Sequence, residues 1–131
     1  MPERSTDWME QATRDLQMAE YAATSGFPEW ACFIAQQAAE KAIKAVYQKK
    51  GGVAWGHSVA DLLQGLPADC RVPTALLKQA RNLDRWYIQA RYPDGFPQGK
   101  PGDYVDREDA GDAISSAGRI LQYCEGLLAG H

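Results

Sequence analysis

The sequence predicts an all-α protein, an up-and-down antiparallel four-helix bundle with an additional short helix. Three observations support this fold class. Apolar residues recur at helical spacing in four long stretches, no stretch shows the apolar and polar alternation of a strand, and only one connection is long. Because 131 residues is close to the usual size of one domain, we expect residues 1–131 to form a single helical domain.

The first two long helices have recognisable beginnings and ends. Asp7 followed by Glu10 predicts an N-cap and a first helix over about 8–24. Proline suits a first helical turn, so Pro28 begins a second helix that runs to about Lys49. The core side of this second helix is a stripe of small residues that lets a neighbouring helix approach closely: Ala31, Ala35, Ala38, Ala42 and Ala45.

The second half of the chain contains a short helix, a central helix and a last helix. Ser58 is the expected N-cap of the short helix. The central helix is expected from about Thr74 and to include the whole stretch Leu76 to Asp94. Tyr92 to Asp106 carries three prolines and three glycines in fifteen residues, which predicts a loop without regular structure. Asp106 is expected to cap the last helix.

Composition and charge exclude several classes of protein. A net charge of −3 argues against a general nucleic-acid surface, because such surfaces need many Lys and Arg. No stretch is long and apolar enough to span a membrane, and the start lacks a signal-peptide pattern, so we expect a cytoplasmic protein. Cys32, Cys70 and Cys124 form no CxxC motif, so neither a disulfide, a metal site nor a cofactor is expected.

A candidate site arises where charged residues interrupt the apolar face of the central helix. Asp84 and Arg91 lie within that face, and a charge held away from water needs a partner or a functional cavity. We expect these residues to share a pocket with polar residues of the second helix, in which arginine and lysine bind phosphate and a tyrosine stacks on a base. The expected set is Gln37, Lys41, Lys44, Asp84, Tyr87, Arg91 and Tyr92.

Two structural alternatives to this site stay open. Asp84 and Arg91 could form a network with Lys41 that only fixes the helix register. Glu40 and Lys44 could be a surface pair on a solvated face. His57, just before the short helix, is expected to tether a loop by hydrogen bonding, and a metal site is not expected because no second histidine or cysteine lies near it in the sequence.

Four segments of the chain together resemble the HEPN domain family: WMEQATRDLQMAE, FIAQQAAEKAIKAVY, GHSVADLL and LDRWYIQARYPD. The resemblance covers nearly the whole chain and implies an up-and-down helical bundle. It also implies a nucleotide-binding role, with an ATP- or GTP-like ligand, or partnership with a minimal nucleotidyltransferase in a toxin–antitoxin-like pair. Other branches of the family are metal-independent ribonucleases that act as dimers.

The sequence departs from the ribonuclease branches at one position. Those branches carry an arginine, four to six residues and then a histidine near the end of the central helix. Counting from Arg81 the position is Trp86 or Tyr87, and from Arg85 it falls near Arg91, so the motif is absent. We therefore expect a non-catalytic binding module that forms a homodimer or other homo-oligomer. The alternatives are a ribonuclease with a different residue set and a purely structural oligomer subunit.

Overall fold

The computed structural model of the protein describes residues 3–130, and within them the chain is helical and contains no strand. The helices are α1 (Ser5–Thr24), α2 (Pro28–Lys50), α3 (Val59–Gln64), α4 (Thr74–Asp84), α5 (Trp86–Gln89), α6 (Pro101–Tyr104) and α7 (Arg107–Leu128). Two short 3₁₀ turns, Ala68–Cys70 and Pro93–Gly95, lie in the connections. This architecture confirms the predicted all-α bundle with an additional short helix.

Helix α2 is the centre of the bundle. It packs most extensively on α1 and then on α7, and it also contacts α3, α4 and α5. Its stripe of small residues is fully buried, with Ala31, Ala35 and Ala38 each at 0% exposure. Small side chains at this seam let the helix backbones approach closely, as the sequence predicts. No helix among residues 3–130 is both long and apolar enough to cross a membrane.

Two of the three N-caps predicted from the sequence are present in the structure. The Ser58 side chain accepts a hydrogen bond from the Asp61 N–H, and Asp106 forms a capping box with Asp109, which confirms both caps. The prediction for α1 is wrong. That helix begins at Ser5, so Asp7 lies in its first turn, where a carboxylate still interacts favourably with the helix dipole.

The central helix is shorter than predicted and is interrupted. Regular helix ends at Asp84, Arg85 forms a one-residue break, and α5 adds a single turn. Tyr92 has extended backbone angles, because the ring of Pro93 disfavours helical geometry in the preceding residue. The predicted helix to Asp94 is therefore wrong after Gln89, although the segment packs on α2 as one side of the bundle.

The long connection after α5 is more ordered than predicted. It contains the 3₁₀ turn at Pro93–Gly95 and the short helix α6, each with proline in its first turn. The rings of Phe96 and Tyr104 stack with centroids 4.5 Å apart, and the Tyr104 hydroxyl donates to the Gln98 carbonyl. The prediction of a loop without regular structure is wrong, because proline is compatible with a first helical turn as well as with a loop.

The three cysteines are free and buried, which leads to a prediction about alkaline stability. Burial raises the pKa of Cys32 to about 12 and raises the pKa of Cys124 well above its usual range. The unfolded chain ionises its thiols near pH 8.5, so it loses protons first as pH rises and becomes favoured. We expect the urea midpoint to fall from about pH 8.5 upward.

Cys32→Ala provides the control for this prediction. The variant removes one of the two thiols with a raised pKa, so its midpoint should fall less steeply with pH than that of the unsubstituted protein. Burial also raises the pKa values of Tyr47 and Tyr123, which add to the loss of stability at still higher pH. Identical slopes for the two proteins would contradict the assignment to Cys32.

Candidate functional site

Asp84, one of the predicted site residues, holds the N-terminus of α3. Its carboxylate accepts hydrogen bonds from the Ser58 hydroxyl at 2.8 Å and from the backbone N–H groups of Val59 at 2.7 Å and Ala60 at 3.1 Å. These are donors that the first turn of a helix leaves without intrahelical partners. Asp84 therefore ties α4 to α3, and it makes no hydrogen bond or ion pair with Arg91.

Lys41 also lies apart from the rest of the predicted set. Its ammonium group donates to the carboxylate of Asp15 on α1, and the pair is partly buried between the two helices. The cavity beside it, about 370 Å³, is lined by residues near the start of α1, among them Asp7 and Trp8. Lys41 thus joins α1 to α2 and does not point toward Arg91. The alternative network of Asp84, Arg91 and Lys41 is not formed either.

Glu40 is the centre of a polar network on α2 that the sequence does not reveal. The residue is only 5% exposed, so the expectation of a solvated pair is wrong for Glu40. Its carboxylate accepts from Lys44 at 3.1 Å, lies 3.5 Å from the Gln37 amide nitrogen, and lies 3.3 Å from Nδ1 of His57. A buried carboxylate with several donors around it fixes the positions of those donors.

His57 is held in place by this network and extends it to the central helix. The fully buried Gln36 donates to the His57 carbonyl at 2.8 Å, which confirms that the residue tethers its loop. The imidazole stacks on the ring of Tyr87, with centroids 4.8 Å apart and an interplanar angle of 16°. Gln37 and Lys44 are thereby connected to Tyr87 through Glu40 and His57.

The guanidinium group of Arg91 contacts Tyr87 and two other aromatic rings. Its Cζ lies 4.3 Å from the ring centroid of Phe33, 4.7 Å from that of Tyr87 and 4.9 Å from that of Tyr92. Nε donates to the Tyr87 carbonyl at 2.8 Å. Arg91 forms no ion pair with any carboxylate among residues 3–130. The aromatic rings fix the guanidinium plane, and its terminal nitrogens are left to solvent or a ligand.

A cleft of about 200 Å³ lies beside Arg91, between the start of α2 and the connection after α5. Trp30, Arg91 and Lys100 line it together with the carboxylate of Glu29. The Lys100 ammonium group forms an ion pair with Asp103 at 2.9 Å, and this hydrogen bond raises the pKa of Lys100 above its usual value. Asp103 thus balances the charge of Lys100, whereas Arg91 lines the cleft without an ion-pair partner among residues 3–130.

A second arginine, Arg85, lies in a different environment. Its guanidinium covers the Trp86 ring at 4.2 Å, but Asp109 lies 3.7 Å away. The groove there, between α4 and α7, has a volume of about 430 Å³ and also contains Asp112 and Arg119. Its two arginines and two aspartates cancel in charge. Arg85 is therefore a suitable comparison for Arg91. It also stacks on an aromatic ring, but it has a carboxylate partner.

The structure thus divides the seven predicted residues. Gln37, Lys44, Tyr87, Arg91 and Tyr92 lie along one continuous row of contacts, whereas Lys41 and Asp84 lie elsewhere. The sequence did not predict the roles of Glu40 and Phe33, and for His57 it predicted the loop tether but not the contacts with Glu40 and Tyr87. The only signal for Glu40 was its place next to the alanine stripe of α2.

These features define a class: a small up-and-down helical bundle with an arginine in an aromatic cage at the end of its central helix. The HEPN domain profile matches residues 5–127. The chain therefore belongs to the HEPN family, as its four sequence segments predict.

Three solved structures are similar to this chain over nearly their whole lengths. The protein TT1696 from Thermus thermophilus is 44% identical with a TM-score of 0.93, and the match covers 95% of this chain and 98% of that one. ST0689, an archaeal HEPN homologue, is 42% identical with a TM-score of 0.80, covering 96% and 98%. A HEPN domain protein from Thermotoga maritima is 40% identical with a TM-score of 0.76, covering 94% and 98%. No curated protein sequence gave a significant match.

Proposed function

We propose that this protein is a non-catalytic HEPN-type binding module whose ligand is a nucleotide held by its phosphates on Arg91. One observation carries the proposal: the Arg91 guanidinium is fixed by three aromatic rings and has no carboxylate partner among residues 3–130. A fixed, unpaired guanidinium is suited to a bidentate interaction with a phosphate group.

The surroundings of Arg91 support an anionic ligand of small size. The Lys100 ammonium group at the same cleft is paired with Asp103, and Glu29 adds an anion, so Arg91 is the cation left for a ligand and the local charge favours a small phosphate compound rather than a long polyanion. The overall charge of −3 agrees with this, because a nucleic-acid surface needs many cations. The α2 network of Gln37, Glu40 and Lys44 helps to fix Tyr87, because Glu40 contacts His57 and the His57 ring stacks on Tyr87.

Partnership with a minimal nucleotidyltransferase and self-association belong to the same proposal. The support for them is the family membership together with several large apolar side chains that stay about half exposed or more, including Val53, Trp55 and Ile88. Aromatic residues and arginine are enriched at protein interfaces. A partner that presents a nucleotide, or a carboxylate in its place, would complete the Arg91 cleft.

Calorimetric titration of the protein with inorganic pyrophosphate, ADP, ATP, GDP and GTP tests the proposal. We expect saturable binding of pyrophosphate and of the nucleotides, weakened as salt increases because the interaction is between charges. Chloride at matched ionic strength is the control. Absence of binding by every phosphate compound at low salt would contradict the nucleotide proposal and favour a protein or oligomer role.

A second candidate, a metal-independent ribonuclease, is favoured by the contact between Glu40 and His57. An ionised carboxylate only accepts hydrogen bonds, so in the neutral imidazole this contact places the ring proton on Nδ1 of His57 and leaves Nε2 as an acceptor. The His57 side chain is 56% exposed, and its ring stacks on Tyr87, which Arg91 also contacts. A histidine held in this way can act as a general base beside a phosphate-binding arginine.

RNA cleavage in the presence of EDTA tests this second candidate. If His57 is the base, His57→Ala should abolish cleavage, a loss of about a hundredfold or more. His131→Ala removes the other histidine and serves as the matched control. No cleavage by the unsubstituted protein, or equal cleavage by His57→Ala, would exclude His57 as a catalytic residue.

A further inference from the structure

A nucleotide held on Arg91 needs a surface for its base, and Tyr87 is not available for stacking. The His57 imidazole covers one face of the Tyr87 ring at 4.8 Å, and both Phe33 and Arg91 pack around the same ring. Tyr92 is 46% exposed and also contacts Arg91. The choice for the base is therefore between Tyr92 and another aromatic surface near the cleft.

An apolar cavity with aromatic walls lies at the turn between α1 and α2. Its volume is about 430 Å³, and its lining includes Met18, Tyr21, Phe27, Trp30 and Ile34. Tyr21 is 65% exposed, Phe27 55% and Trp30 46%, so these rings offer open faces. A cavity of this size with apolar walls and few polar groups is typical of a site for a small organic ligand.

The apolar cavity and the Arg91 cleft meet at one residue. Trp30 lines both of them. The centroid of Phe33 lies 4.3 Å from Cζ of Arg91 and 6.2 Å from the centroid of Trp30. The distance from the guanidinium to the Trp30 ring therefore does not exceed the sum of these two distances. A planar apolar group and a phosphate joined by a short linker can therefore occupy both places at once.

We propose that the cavity formed by Met18, Tyr21, Phe27, Trp30 and Ile34 binds the base of the nucleotide whose phosphates lie on Arg91. This inference rests on the proposed function and names the second half of its site. Stacking on aromatic rings tolerates every base, because each base has a π face. The polar side-chain groups in the cavity are the hydroxyls of Tyr21 and Ser25 and the indole N–H of Trp30, so few groups are available to select among bases.

Two half-ligands separate this inference from the proposed function. Adenosine carries the base without phosphate, and pyrophosphate carries phosphate without the base. Binding is measured by calorimetry for Tyr21→Ala and Phe27→Ala, for Tyr92→Ala as the rival stacking surface, and for Arg91→Ala at the phosphate site. Trp55→Ala is the matched aromatic control, because Trp55 is 82% exposed and lines neither cavity. Tyr21 projects from α1 at 65% exposure, so its replacement leaves the core intact, and the melting temperature of each variant verifies this.

We expect Tyr21→Ala and Phe27→Ala each to weaken adenosine binding about fivefold or more, with pyrophosphate binding unchanged. Trp55→Ala should leave adenosine binding within about twofold of the unsubstituted protein. Loss of adenosine binding in Tyr92→Ala but not in Phe27→Ala would overturn the base site and leave the phosphate site intact. Failure of pyrophosphate binding in the unsubstituted protein would instead overturn the proposed function.

A second copy of the chain is the other occupant that the test detects. If Phe27 and Trp30 were covered by a neighbouring copy, adenosine would not bind, and Phe27→Ala would shift the protein toward monomer in sedimentation at equal concentration. That result would contradict the base site.

Discussion

We expect Asp84→Ala to lower the free energy of unfolding by about 3 kcal/mol, with a fall in Tm of roughly 10 °C. The half-buried carboxylate accepts from the Ser58 hydroxyl and from two backbone N–H groups, at Val59 and Ala60, and alanine replaces none of these bonds. Buried donors without an acceptor carry their full desolvation cost. Urea unfolding followed by circular dichroism measures the change.

Two variants make the Asp84 prediction specific. Asp94 is an exposed carboxylate with no hydrogen-bond partner among residues 3–130, so Asp94→Ala should change the stability by less than about 0.5 kcal/mol. Asp84→Asn keeps one acceptor oxygen, so its stability should lie between those of Asp84→Ala and Asp94→Ala. Equal stability of Asp84→Ala and Asp94→Ala would contradict the capping role. Pyrophosphate binding should persist in folded Asp84→Ala, because Asp84 does not contact Arg91.

Replacing Glu40 with alanine should have a comparable effect, about 2–3 kcal/mol of lost stability, at a different place in the bundle. The change leaves the ammonium group of Lys44, whose side chain is only 16% exposed, without its carboxylate. It also removes the acceptor for Nδ1 of His57 and the longer of the two hydrogen bonds that the Gln37 amide donates. Breaking a buried ion pair from one side is costly because the remaining charge stays desolvated.

A double variant distinguishes this ion-pair effect from a loss of packing. Glu40→Gln combined with Lys44→Met removes both charges while keeping much of the volume, so it should recover most of the stability lost in Glu40→Ala. Urea midpoints of the single and double variants give the comparison. A double variant as unstable as Glu40→Ala would show that the charge pair is not the source of the loss.

The helices could be predicted because their signals are local. Alanine at helical spacing marks the buried side of α2, and Ser58 and Asp106 are followed by the residues that complete their caps. The errors were also local. Asp7 with Glu10 three residues later has the N-cap pattern, but α1 already begins at Ser5 without a side-chain cap. The effect of Pro93 on Tyr92 was outweighed by the strong periodicity before it.

Part of the site could be predicted because a charge within an apolar arc is unusual. That signal identified Arg91 and Asp84 from the sequence, but it cannot give their partners. Asp84 bonds residues about twenty-five positions away, and Glu40 meets His57 seventeen positions away, across a glycine-containing loop without periodicity. The assignment of Lys41 to the same pocket failed because its helix face is shared with α1 and Asp15. Such contacts depend on the packing of the whole bundle.

The most direct test of the account is the affinity of Arg91→Ala for ADP, measured by calorimetry beside Arg85→Ala. Both variants remove an arginine stacked on an aromatic ring, but only Arg91 lacks a carboxylate partner among residues 3–130. We predict that Arg91→Ala, with a native Tm, binds ADP at least about thirtyfold more weakly, whereas Arg85→Ala binds it normally. Equal affinities of the two folded variants would contradict a nucleotide site on Arg91.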